Sequence, residues 1–467
     1  MTTVGDPMTD VTTRLTAGWF RGPVLSIDHT EYDATRALYN AMIDRRPGLI
    51  ARCVDEADVQ AVVRTAAESG ADLAVRSGGH NGAGLGSVDG GIVADLSLMR
   101  GIRVDGDAGT VRVQPGATWG DVDHATHAFG KAVPSGIIST TGVGGLTLGG
   151  GLGHLTRRDG LTIDNLLSAD VVLADGSRVT ADEEQHSDLF WALRGGGGNF
   201  GVVTSFSFRL NPVDTVVGGP TLWTLDQAPE VLAWYRDFIP TAPRNLNGFF
   251  AFLTVPPAPP FPPSLHLEKM CGVVWCYTGD PEDADDVFEP VRQMGPPALY
   301  GIHPMPYPML QGAFDGLYPP GHQWYWRADF VREIPDDAIA RHAEFAAQLP
   351  TMQSTMHLYP IDGAAADVPA DATAWNYRDA NWSMVMAGVD PDPASAGALR
   401  DWAVGYWEAL HSFSAGGAYV NFLGEGEGAD RVRATYGDNY DRLAQVKAAY
   451  DPTNLFHINQ NIPPAPA

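Results

Sequence analysis

One imidazole, His80, stands among five glycines in "AVRSGGHNGAGLGS" (residues 74–87). A neutral imidazole nitrogen can act as a nucleophile, a base or a metal ligand. The bare backbone beside it lets a large planar ligand lie against the loop. Arg76, Ser77, Gly78, Gly79, Asn81, Gly84 and Leu85 share that loop. From residue chemistry alone His80 could shape the loop, hold a metal, take a proton or bond to a larger group. Two further glycine runs follow. "GVGGLTLGGGLG" (142–153) has seven glycines in twelve residues, and "RGGGGNFG" (194–201) has five in eight. Successive amides of such loops form anion-binding nests of the kind that suits a pyrophosphate.

Several chemistries do not fit. A nicotinamide fingerprint should follow a clear strand and open a helix. "PSGIISTTG" before the second run is no clear strand, and "LGGGLGHLTRRDG" makes a poor helix. "HATH" (His124, His127) has helical spacing but no acidic or thiol partner at ligand distance, and neither H-E-x-x-H nor paired C-x-x-C occurs, so no metal is expected. G-x-S-x-G is absent. The formal net charge of −26 repels nucleic acid and anionic membranes. No long apolar span and no basic-then-apolar leader is present. Three scattered cysteines (Cys53, Cys271, Cys276) form no disulfide framework. A reduced, cytoplasmic protein is the expectation.

The elements that must position these residues change character along the chain. Hydrophobic residues make up 44% of 467, enough for more than one core. "DEADVQAVVRTAAESG" predicts a helix capped by Asp55 and ended by Gly70. "WGDVDHATHAFG" predicts a shorter one with Val122, Ala125, Thr126 and Phe129 on one face. "ADVVLADGSRVTA" is a hairpin turned at Asp175-Gly176, and "GVVTSFSFRL" an alternating strand. After "RLNPV", longer aromatic strands appear: "LNGFFAFLTV", "LEKMCGVVWCYTG", "HQWYWRADFVRE" and "ANWSMVMAGV". Helices between them point to an antiparallel sheet flanked by helices. "VPPAPPFPPS" reads as a loop inside this part. The last helix stops at Asp451-Pro452, and "PPAPA" reads as a loose end.

In this order the motifs resemble a known family. "RSGGH", "GLG" and "GGIVADLS", then "GVGGLTLGGGLGHLTRRDGLTIDNLLSADVVLADG" and "DLFWALRGGGGNFGVVTSFSFRL", are similar to the FAD-binding fold of the p-cresol methylhydroxylase/vanillyl-alcohol oxidase superfamily. "YGDNYDRLAQVKAAYDPTNLFHINQNIPP" resembles the C-terminal segment of berberine bridge enzyme-like oxidases. The resemblance implies an α+β chain with two parts. Residues 1–212 and 420–467 would form an FAD-binding domain of two α+β subdomains, and 213–419 a substrate-binding domain.

It also implies FAD, held by the residues of the His80 loop together with Thr140, Thr141, Gly142, Gly144, Gly145, Gly149, Gly150, Gly153, His154, Gly201, Val202, Asn459 and Asn461. His80 would bond covalently to the flavin. Where many relatives carry a second, cysteinyl link, this chain has Ile138, so a single tether is implied, as in hydroxynicotine oxidase-like relatives. Leu152 stands where many have tyrosine. Tyr419 in "AYVNF" is implied as general base, oriented by Asn421 two residues on along a strand. Leu152, Trp324, Trp326 and Arg378 are expected at the substrate cavity. The implied function is an oxidase taking hydride from a C–H beside O or N of a small organic substrate, with O₂ as the final acceptor. A dehydrogenase with another acceptor, or a flavin-retaining binding protein without turnover, is the alternative.

Overall fold

A computed structural model describes residues 7–466. Two sheets precede residue 212. In the first, Val24–Ser26, Leu49–Arg52, Ile92–Asp95 and Leu73–Arg76 lie side by side, the last three parallel. The helix Glu56–Ser69 connects Leu49–Arg52 to Leu73–Arg76. Asp55 accepts the Asp58 amide at its start, and Gly70, at φ +69°, ends it. Its Val59, Val62, Val63 and Ala66 are fully buried, as their helical spacing requires. The second sheet is antiparallel and contains the expected hairpin, Leu166–Val172 with Arg178–Ala181.

The third sheet has eight strands. Its order is Leu299–Tyr300, Thr215–Thr224, Lys269–Tyr277, Leu246–Thr254, Thr355–Pro360, Trp382–Asp390 and Gln323–Val331, with His303–Pro306 also pairing with Thr215–Thr224. Helices Ala228–Phe238, Asp336–Ala346 and Ala396–Leu410 share one hydrophobic core with the face bearing Phe250, Phe252, Met356, Leu358, Met384 and Met386. Successive strand residues point to opposite faces. The other face therefore carries Thr355, His357 and Tyr359 on one strand, and Val385 and Ala387 on its neighbour, with Thr355 paired to Ala387 and His357 to Val385. That face borders a large internal cavity. The chain is α+β, with a large antiparallel sheet flanked by helices. No helix among the described residues is long and apolar enough to cross a membrane.

Several local expectations change. Phe129 is exposed rather than on the buried helix face, where Trp119 takes the place expected for it. The glycine run opens a seven-residue helix, Val143–Gly149, and "LTRRD" contains a short one, Thr156–Asp159. Tyr419 and Asn421 do not share a strand: Val420–Phe422 is a single 3₁₀ turn. Of the C-terminal "PPAPA", whose last residue lies outside the described residues, Ala465 is docked, its amide donating to the Ala444 carbonyl at 2.9 Å. "PPAPPFPP" forms no strand, since its prolines cannot donate to a ladder.

Candidate active site

One cavity runs from the glycine loops to the free face of the large sheet, and the space it encloses, partly open to solvent, is about 1960 Å³. Loop 77–81 and the start of the Val143–Gly149 helix meet at one end. A Cβ on Gly142 would run into the Gly78 backbone, and one on Gly78 into that of Gly142. The two segments can close together only as glycine on glycine. The amides of Gly78, Gly79, His80 and Asn81 donate to no group among the described residues, and all four residues border the cavity. Arg76 Nη2 is paired with Asp95 at 3.0 Å, while its buried Nη1 has no partner. Gly78 is exposed and Gly79, His80 and Asn81 are half-buried, so their amides are open to the cavity, while the buried, unpaired Arg76 Nη1 is costly; together they suit a polar ligand.

His80 stacks on Tyr39, ring centroids 3.8 Å apart at 18°. Thr140 Oγ1 lies 3.2 Å from its Nε2 and Thr141 Oγ1 3.5 Å from its Nδ1. Burial pushes the imidazole down to about 4, so it is neutral at physiological pH. The side chain of Ile138 borders the same cavity, and no thiol is near, since Cys53, Cys271 and Cys276 are buried in other cores and free.

Just past the C-terminal end of the Val143–Gly149 helix, the Tyr419 hydroxyl oxygen accepts two N–H bonds, from Gly151 at 2.9 Å and Asn421 Nδ2 at 2.7 Å. Asn421 thus orients Tyr419 although they share no strand; the 3₁₀ turn brings the two side chains together. Burial pushes the Tyr419 phenol up to about 12, against the opposing pull of those two donors. No cation offsets the burial, so Tyr419 is a neutral phenol near pH 7.

Of the residues expected at the cofactor, Arg76, Ser77, Gly78, Gly79, His80, Asn81, Leu85, Thr141, Gly142, Gly144, Gly145, Gly201, Val202 and Asn459 border the cavity. Leu152, Trp324 and Trp326 border it as expected for the substrate end. Others do not. Gly149, Gly150 and Gly153 are glycine because Asn421, Trp375 and the Ser135 carbonyl occupy the space a Cβ would need. Gly84 turns its loop at φ +72° against Ile43. Thr140 reaches the site only through His80. His154 is buried against Phe249, its Nε2 unpartnered. Asn461 sits beyond the wall, and Asn459 beside it donates to the Gly198 carbonyl.

Arg378 is a correction of another kind. It is buried in a two-pronged ion pair with Asp164, at 2.7 and 2.8 Å, and does not touch the cavity. It pins the segment 373–378 to the 3₁₀ turn Thr162–Asn165 that carries Asp164.

Sequence reasoning missed Tyr39, Tyr318, Phe422 and, above all, His357 and Tyr359. The His357 Nδ1 lies 2.6 Å from the Tyr359 hydroxyl. The alternation in "TMHLYP" was the available signal, but it does not say which face is open.

Comparison with known proteins now decides the family. A family model described as "FAD binding domain" matches residues 47–182, and one described as "Berberine and berberine like" matches residues 418–463. An FAD-linked oxidoreductase of Dictyostelium discoideum is 30% identical over 431 residues, 91% of each chain. The chain belongs to the berberine bridge enzyme-like FAD-linked oxidoreductases. This oxidoreductase is also similar to the xylooligosaccharide oxidase of Thermothelomyces thermophilus, 29% identical over 95% of this chain and 92% of the relative. The crystal structure of 6-hydroxy-D-nicotine oxidase from Arthrobacter nicotinovorans superposes with a TM-score of 0.85 at 26% identity, covering 96% of this chain and 98% of that one. The enzyme therefore uses FAD, and the glycine-on-glycine cradle, the free amides and the unpaired Arg76 Nη1 fit such a group.

Proposed function

We propose that this oxidoreductase is an oxidase that dehydrogenates an uncharged small organic molecule at a C–H beside O or N, with O₂ as the final acceptor. The observation that carries this reading is the single cavity shared by His80, Tyr419 and the aromatic sheet face. When bound there, FAD supplies the hydride acceptor. The protein's own residues do the rest. Loop 77–81 holds the cofactor through its free backbone donors, with Gly142 and Gly145 closing the wall beside it. His80, neutral and braced between Tyr39 and two threonine hydroxyls, is the one covalent tether; Ile138 offers no second. Tyr419 has its oxygen filled by two N–H bonds, so its own O–H is free to donate to a substrate oxygen or nitrogen. Two relatives of this enzyme bear the names of oxidases, one for xylooligosaccharide and one for 6-hydroxy-D-nicotine. Aromatic walls and the lack of an unpaired carboxylate or ammonium group in the cavity favour a neutral substrate.

The purified yellow enzyme tests this in two steps. Acid precipitation should leave the flavin on the polypeptide. Anaerobic mixing with a panel of sugars, alcohols and amines should bleach the flavin with at least one, and air should restore it with O₂ uptake. A flavin that no panel member reduces, but dithionite does, would defeat the reading.

A further inference from the structure

We propose that His357, braced by Tyr359, is the recognition group for a hydroxyl carried on an uncharged aromatic ring, and that this enzyme's substrates are neutral hydroxyaromatic compounds. The proposal rests on the oxidase reading, whose substrate it specifies. Four observations support it.

First, His357 borders the cavity on the side away from the glycine loops' elements, on a strand of the large sheet. It is on the free face of the large sheet, between Thr355 and Tyr359, opposite Val385, and all four border the cavity. Second, its ring is fixed. Nδ1 is bonded to the Tyr359 hydroxyl at 2.6 Å, and the Phe249 ring lies 4.9 Å away. Nε2 has no hydrogen-bond partner among the described residues. The Tyr359 hydroxyl can donate to Nδ1 or accept from it. Nε2 can therefore donate or accept in turn, as a phenolic O–H can.

Third, the surrounding surface is made of rings. Trp324 and Trp326 meet edge to face, their centroids 5.8 Å apart, and Tyr318 packs on Trp324 at 5.2 Å. Phe422 links Tyr359 (6.1 Å) to Tyr419 (4.8 Å), so the recognition pair and the Tyr419 hydroxyl belong to one aromatic wall. Such rings gain most from a flat partner. Fourth, the cavity offers no charge to an anion. The one guanidinium on its wall, Arg76, stands beside the glycine loops, where one prong is paired with Asp95 and the free Nη1 is left for the cofactor, and burial holds His357 down to about 3, so its imidazole is neutral. A carboxylate brought here would lose its hydration without gaining a counter-charge.

Three probes that share one naphthalene ring separate these terms: 2-naphthol, 2-methoxynaphthalene with the hydroxyl blocked, and 2-naphthoate with a carboxylate in its place. Each is titrated into the purified holoenzyme and followed by the perturbation of the flavin absorbance. 2-Naphthol should bind about tenfold or more tighter than either of the others, the scale of one buried hydrogen bond. His357→Phe should erase the preference for 2-naphthol over 2-methoxynaphthalene. His357→Gln, which keeps a hydrogen-bonding group there, should retain most of it. Tyr359→Phe should weaken 2-naphthol by about threefold to tenfold through the loosened ring. Equal affinity for the two neutral probes, tighter binding of 2-naphthoate, or a His357→Phe variant that binds 2-naphthol as the parent does would overturn the proposal. If that variant does not fold, the three affinities of the parent enzyme decide. These titrations need no turnover. Selective 2-naphthol binding in an enzyme that no substrate reduces would thus count against the oxidase reading and not against the recognition site.

Discussion

Asn421 Nδ2 donates to the Tyr419 hydroxyl at 2.7 Å across a single 3₁₀ turn, and the Gly151 amide donates to the same oxygen at 2.9 Å. Two donors on one phenol oxygen leave its proton free to point into the cavity. They also favour the phenolate, yet burial outweighs them and the group is pushed up to about 12. A neutral phenol whose oxygen is already filled is set up to donate its proton in a hydrogen bond rather than to serve as a ready-made base.

Tyr419→Phe should slow flavin reduction by about tenfold to a hundredfold, the range for one positioned donor or proton-transfer group. Because the phenol's affinity for its proton is raised, its ionisation lies above the working range. Anaerobic reduction rates should therefore show no alkaline rise from this residue between pH 7 and 10. A rise with a midpoint near 8 that disappears in Tyr419→Phe would contradict the assignment.

His80→Ala should release the flavin into the supernatant on acid precipitation, whereas the parent protein should keep its colour in the pellet. Removing the imidazole also strips the Tyr39 ring of its stacking partner at 3.8 Å. Colour that stays with the denatured His80→Ala chain would point to a different tether.

Arg378→Met should destabilise the fold by about 3–5 kcal/mol, because it leaves Asp164 buried with no counter-charge. Its two bonds to Asp164, with those to the Ala365 carbonyl and the Thr373 hydroxyl, are structural. Urea melts should show the loss. Affinity for 2-naphthol, measured at low temperature on folded protein, should change less than threefold.

Asp123 is buried in the helix Trp119–His127, with Gln311 Nε2 3.4 Å from one oxygen and no partner on the other. Burial pushes its carboxyl up to about 7. The unfolded chain ionises near 4, so between about pH 4 and pH 7 the unfolded state binds fewer protons and stability falls as pH rises. Asp123→Asn removes that penalty. It should stabilise the protein by on the order of 2–4 kcal/mol at pH 7.5 and by almost nothing at pH 4, read from urea melts at the two pH values.

Much of this enzyme is written locally. The helix from Glu56 to Ser69, its Asp55 cap and Gly70 stop, the hairpin at Asp175-Gly176 and the long aromatic strands follow from spacing within a few residues. The glycine runs around His80 and Gly142 announce a ligand wall because glycine in such density has few other uses. Those features depend on neighbours along the chain, and a single sequence displays them.

The remainder was decided by residues far apart in sequence. Gly142 and Gly149 look alike in one run, but Gly142 meets Gly78 at the cavity and Gly149 meets the Asn421 side chain. Arg378 could have faced a substrate; Asp164, 214 residues away, claimed it. The alternation of Thr355, His357 and Tyr359 specified two faces without saying which would be open. The helices of the large domain covered the face of Met356 and Leu358, and so left His357 to the cavity. Period and composition are properties of one strand, whereas exposure belongs to whatever packs against it, and only the assembled chain supplies that partner.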